Sequence, residues 1–167
     1  LQFTEGILGF SDLKKFLLLD DPNDDIFVWL QSCEEPAIAF PVLEPELLTE
    51  QYKISLAKKD LDTLNLNLDV MEKTLMFCII TIPEDPTQMT ANLKAPVIIN
   101  TSQKIGRQCV LQDNGFAIRE PVFSKLQQRV FQNPKLSIKA QSKIQTEGLK
   151  VTVQLPASSP VEADQII

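Results

Sequence analysis

Apolar residues along this chain fall in short runs separated by turn chemistry, the pattern of strands in an all-β protein. Phe16-Leu17-Leu18-Leu19 stops at Asp20-Asp21-Pro22-Asn23-Asp24, where Asp, Asn and Pro favour a turn. Ile26-Phe27-Val28-Trp29-Leu30 follows, so the spacing predicts a hairpin with an acidic tip. Residues 37–43 read as a third strand. Pro41 within it has no N–H for a neighbouring strand, which suits an edge or a bulge. Tyr52-Lys53-Ile54-Ser55-Leu56 alternates and reads as a half-exposed strand. Residues 74–82 form the most apolar run, a central strand covered on both faces and stopped by Pro83 and Pro86. Residues 89–93, 97–99 and 108–111 read as further strands.

Helical spacing shows in two places. Leu61 and Leu64 stand three apart within 58–64, enough for one or two turns, and Asn65-Leu66-Asn67 ends them. Residues 124–131 suit a short amphipathic helix with Phe123, Leu126 and Val130 on one face. Past residue 134 the chain turns polar and basic, then rich in Ser and Pro, a composition expected of an extended or disordered tail. Residues 149–155 alternate and read equally as a strand. Close-set strands with little helix predict a small closed or partly closed antiparallel β-barrel, since closure removes edges. The expected division is a barrel over 1–121 and a C-terminal extension over 122–167.

Charge changes the picture of what such a barrel does. The 167 residues hold 16 Lys+Arg against 22 Asp+Glu, a net of −6. Residues 1–50 carry 11 acids and two bases, a net of −9; residues 51–120 balance at eight and eight; residues 121–167 carry three and six, a net of +3. The first third therefore makes an acidic surface, which argues against direct contact with nucleic acid. His is absent, so His-dependent triads and His-ligated metals are excluded. Cys33, Cys78 and Cys109 form neither a disulfide framework nor a zinc ribbon. Cys78 and Cys109 sit in apolar runs and read as small buried hydrophobes. Reduced thiols, with no run near the length of a membrane span and no signal peptide, predict a cytoplasmic protein.

Catalytic readings find little support. Glu34-Glu35 and Glu84-Asp85 are adjacent acids, which point different ways on a loop and lack desolvation. Gly6-Ile7-Leu8-Gly9 lacks the third glycine, Lys and helix of a phosphate cradle. The acids of 20–25 lack the Gly and closing Glu of a calcium loop. No cofactor or metal is expected. A surface for another protein remains. Trp29, the only Trp, shares a face with Phe27, and the two suit either a core or a contact surface. Arg107 lies in a charge-balanced region and is expected to pair internally.

Several linear motifs carry a resemblance. Phe3-Thr4-Glu5-Gly6-Ile7-Leu8-Gly9-Phe10 resembles the opening of the flagellar assembly factor FliW family. Phe27-Val28-Trp29-Leu30-Gln31-Ser32, Ala39-Phe40-Pro41-Val42 and Thr81-Ile82-Pro83-Glu84-Asp85-Pro86 resemble later stretches, although Pro41 replaces a residue that usually donates to the sheet. The most specific match is Met89-Thr90-Ala91-Asn92-Leu93-Lys94-Ala95-Pro96-Val97-Ile98-Ile99-Asn100, followed by Gly106-Arg107-Gln108. Together they cover residues 3–121. The resemblance implies a monomeric, non-enzymatic β-barrel that binds flagellin and also binds the translational regulator CsrA, opposing its RNA binding and so relieving repression of flagellin translation. The alternative is a flagellin-binding chaperone or general adaptor without CsrA antagonism. Candidate partner-binding residues are Asp20, Asp21, Asp24, Asp25, Glu34, Glu35 and Glu44 for the acidic field. Met89, Asn92 and Asn100 are candidates from the motif segment, where they suit equally a scaffold of turns and ladder caps.

Overall fold

The computed structural model describes residues 1–20, 26–67, 73–112 and 115–132. The 16–30 hairpin forms as expected. β2 (Phe16–Asp20) pairs antiparallel with β3 (Val28–Ser32), Phe16 opposite Ser32 and Asp20 opposite Val28. β4 (Ala39–Leu43) continues the sheet and β5 (Thr74–Thr81) follows it. Pro41 is not on an edge strand. It faces Trp29 of β3, while β5 joins only at Val42 and Leu43, so no β5 register position falls on the missing donor.

β5 then pairs with β7 (Val97–Asn100), and β7 with β8 (Ile105–Gln108). β1 (Gln2–Phe3), too short for any sequence period to reveal, lies parallel to β8 through Gln2–Ile105 and Phe3–Gly106. Among the described residues it is the one parallel pair in a barrel expected to be antiparallel. β1 also reaches β2: Phe3 N–H donates to Lys14 O at 2.7 Å and Phe16 N–H to Leu1 O at 3.0 Å. The order β1-β8-β7-β5-β4-β3-β2 is thereby nearly closed into a barrel. β6 (Thr90–Ala91) and β9 (Glu120–Pro121) form an annex beside β5.

Phe3, Phe16, Val28, Leu30, Val42, Phe77, Val97 and Ile99 fill the barrel, each inward position following from the period of two. Gly106 leaves room for this core: a Cβ there would lie 2.3 Å from the Phe3 ring. The opposite face of β5, with Cys78 and Ile80, packs under a second apolar layer that includes Leu43, Tyr52, Met89, Leu93 and Leu126. The expectation of a strand covered on both faces is met.

Two further expectations need correction. Residues 52–56 alternate inward and outward as read, yet they pair with no strand; the segment crosses the outside of the barrel as extended chain. The strand expected at 108–111 ends at Gln108 instead, and Cys109 and Leu111 make only single bonds to Pro96 O and Lys94 O. Past the expected boundary at 121, α2 (Phe123–Gln132) buries Leu126 and follows the fully buried Val122. α1 (Lys58–Thr63) forms where expected and ends before Asn65, which adopts a φ of 50°. The acidic tip at 21–25 and the strand reading of 149–155 lie outside the described residues.

Candidate protein-binding face

Barrel closure gives every strand an inner and an outer side, and the outer side is covered unevenly. Over β5, β7 and β8 it lies beneath residues 44–67 and the annex. Over β2, β3 and β4 the outward positions are Leu17 and Leu19, Trp29 and Gln31, and Ala39 and Pro41. Register sets Leu19, Trp29 and Pro41 in one row across the three strands, and Leu17, Gln31 and Ala39 in the next. All six are half-buried. The apolar five join none of the three apolar clusters formed by the described residues. Phe27 and Trp29 share a face as expected but meet different fates: Phe27 is buried in the second layer, whereas Trp29 lies beyond its cover.

Acidic groups stand at both ends of this face. Asp20 closes β2 at the hairpin end and is exposed; Asp21, Asp24 and Asp25 lie outside the described residues. At the other end, Glu34 and Glu35 are exposed in the turn after β3. The β2–β3 register separates the two ends by roughly 16 Å. Glu34 also has a structural task. Its carboxylate accepts from Lys14 N–H at 2.6 Å and Lys15 N–H at 2.9 Å, and these backbone bonds, Lys15 first, hold it below the usual carboxylate range. Ser32 Oγ accepts from the N–H groups of Glu34 and Glu35 and shapes the turn. Glu44 is half-buried before the 3₁₀ turn at Pro45–Leu47.

The motif residues lie elsewhere, and two of the three are interior. Met89 is buried in the second layer. Asn100 is fully buried: its Nδ2 donates to Leu64 O at 2.9 Å, and its Oδ1 accepts from Ser102 and Gln103 N–H. Both side chains are taken up by the scaffold. Asn92 is half-buried and accepts from Ala95 N–H at 3.0 Å, the turn role its type suits. Residues 89–100 are therefore scaffold in their buried members.

Other candidate chemistry resolves into structure. Asp85 accepts from Thr87 N–H at 3.0 Å and Thr87 Oγ1 at 2.6 Å, which lowers its pKa. Gly6 and Gly9 hold φ of 70° and 85° in a tight turn bridged between Ile7 and Phe10. Arg107 pairs internally as expected: Nε lies 2.6 Å from Asp60 Oδ1 and Nη1 2.8 Å from Glu5 Oε1, tying β8 to α1 and the N-terminal turn. Burial pushes the Cys78 and Cys109 thiols up to about 12. Among the described residues no group of His, Cys, Asp or Glu is arranged to hold a metal, and no helix is long and apolar enough to cross a membrane.

Sequence reasoning found Trp29 but not Leu17, Leu19, Ala39 and Pro41 beside it. Three consecutive Leu give no period from which to choose a face; only the register of β2 against β3 does so.

A nearly closed β-barrel with a half-exposed apolar face between acidic ends has the form of a protein-binding barrel. Comparison with known proteins makes the class specific. The family model described as FliW protein matches residues 1–122. A flagellar assembly factor FliW from Bdellovibrio bacteriovorus is 66% identical over 155 residues, spanning 93% of this chain and 85% of its own length. One from Leptospira interrogans is 38% identical over 124 residues, spanning 74% and 81%. A crystal structure of the flagellar assembly factor FliW superposes with a TM-score of 0.66 at 30% identity, covering 73% of this chain and 84% of that one. The chain belongs to the FliW family of flagellar assembly factors. The alignment over 155 residues also carries the match with the Bdellovibrio relative past residue 122.

Proposed function

We propose that this protein is a cytoplasmic monomer that binds flagellin and, in flagellin's absence, binds CsrA and opposes its hold on RNA. The observation that carries the reading is the outer face of β2, β3 and β4. It sets the only Trp in a row with Leu19 and Pro41 and has exposed acids at either end. Half-exposed aromatic side chains among apolar neighbours are the usual anchors of protein interfaces, and flanking charge selects and steers the partner. CsrA needs cationic residues to hold RNA phosphates. An acidic protein docked beside those residues opposes RNA by charge without covering the RNA site, and the acids of 20–25 and 34–46 supply that field.

Trp29 makes the reading testable by its own fluorescence. Addition of purified flagellin or CsrA shifts the emission to the blue, because docking removes water from the indole. Replacing Trp29 by Ala lowers affinity by about thirtyfold, the equivalent of roughly 2 kcal/mol at an interface anchor. An unchanged spectrum together with unchanged affinity in Trp29→Ala would place the contact elsewhere. Binding of flagellin alone would favour the adaptor without CsrA antagonism.

A further inference from the structure

Round the barrel from Trp29, outside β7 and β8, lies a surface where backbone rather than side chains is left without partners. Ile54 and Leu56 pack against the cluster of Leu64, Ile98 and Cys109, while Lys53, Ser55 and Ala57 face outward. Lys53 N–H turns back to Gln51 O at 2.8 Å. The N–H groups of Ile54, Ser55 and Leu56, and the carbonyls of Lys53, Ile54, Ser55 and Leu56, meet no hydrogen-bond partner among the described residues. Residues 53–57 thus present roughly 16 Å of strand-like edge without a ladder.

A second wall faces this edge. Between 53–57 and 110–112 runs a groove of about 430 Å³, open along one side. In the second wall, among the described residues, only Leu111 is bonded through its backbone, its N–H donating to Lys94 O at 2.9 Å. Val110 leaves 47% of its surface exposed at the rim. Extended chain with unpaired backbone beside an apolar floor is the arrangement that strand addition uses: main-chain bonds supply affinity, and pockets for alternate side chains supply selectivity. Charge indicates the occupant. Lys53 is the only ionisable residue lining the groove, and Lys58 follows one residue past its end. Neither makes an ion pair among the described residues, so Lys53 is available to an acidic group at its end of the groove.

We propose that the groove between residues 53–57 and 110–112 binds an extended peptide segment of another protein by strand addition, the segment being apolar at alternate positions and acidic at the end beside Lys53. Its apolar side chains meet Ile54, Leu56 and Leu111, and its backbone pairs with the free edge at Ser55. The site shares no residue with the Trp29 face, so each stands or falls separately.

The test uses the full chain and an acetylated, amidated peptide of sequence DVTVTVE, followed by residue-resolved amide exchange. Binding is expected to saturate and to slow exchange at Ser55 and its neighbours by about tenfold, as new ladder bonds form. N-methylation of alternate peptide amides weakens binding by about tenfold, Lys53→Glu weakens it by about threefold, and Trp29→Ala leaves it unchanged. Three results would overturn the proposal. One is no saturable binding by a folded protein whose β5 amides remain protected. Another is binding indifferent to N-methylation, which is apolar adhesion. The third is slow exchange at 54–56 before peptide is added: if independent of protein concentration, the chain itself fills the groove, and if concentration-dependent, a second copy does.

Discussion

Arg107 shows how single charges organise this barrel. It sits on β8 with little exposure, and it collects Asp60 from α1 and Glu5 from the N-terminal turn. Removing one member of a buried pair strands the other in a poorly solvated place. Arg107→Ala should therefore cost about 3–5 kcal/mol in urea unfolding, far more than loss of an exposed pair. Internal pairing of Arg107 was legible in the sequence from its charge-balanced region. Its partners were not, because a contact spanning 47 residues, from Asp60 to Arg107, is set by the fold. The thiols carry the reverse lesson, since local apolar sequence sufficed. Burial raises Cys78 and Cys109 to about 12, while Cys33 is exposed. At pH 8 a thiol reagent should consume Cys33 alone in the native protein and all three cysteines after unfolding, a difference that absorbance reads directly.

Elements were legible where two signals coincided. The 16–30 hairpin combined apolar runs with an emphatic turn, and 74–81 combined apolarity with prolines just beyond it, so all three strands appear close to the expected limits. Residues 52–56 had the period of a strand, but period reports which side is buried, not whether a neighbour lies within hydrogen-bonding distance. β1 and β9, at two residues each, hold too little sequence to show any period. Junctions between elements depend on single side chains, and Glu34 is one of them, pinning the 14–15 backbone that leads into β2. Its folded-state pKa is depressed by those backbone donors, so its contribution is present above the ordinary carboxylate value and is lost as pH falls through the depressed one. The melting temperature of Glu34→Ala should fall below wild type at neutral pH, and the gap should close as pH falls below the ordinary carboxylate range. A gap that stays constant with pH would mean the carboxylate's charge contributes nothing.

At the scale of the whole molecule, the described residues divide the barrel into a clad side and a barer one. Residues 44–67 and the annex clothe β5, β7 and β8; β2, β3 and β4 keep Trp29 and its neighbours in partial contact with water. The acidic first third of the sequence announced a surface of one sign. The position of that charge relative to the apolar face emerged only from the register of β2, β3 and β4. On the proposed function, this bare side and its acids act together: apolar contact holds the partner, and negative charge makes the neighbourhood hostile to RNA. The decisive measurement is titration of the protein into a labelled CsrA–RNA complex, with and without flagellin, at low salt. The account predicts that the protein releases RNA, that flagellin abolishes the release, and that replacing Asp20, Asp21, Asp24 and Asp25 together by Asn weakens it and flattens its salt dependence. RNA that stays bound at saturating protein would contradict the account, and release by the quadruple variant equal to wild type at low salt would contradict the role given to those acids.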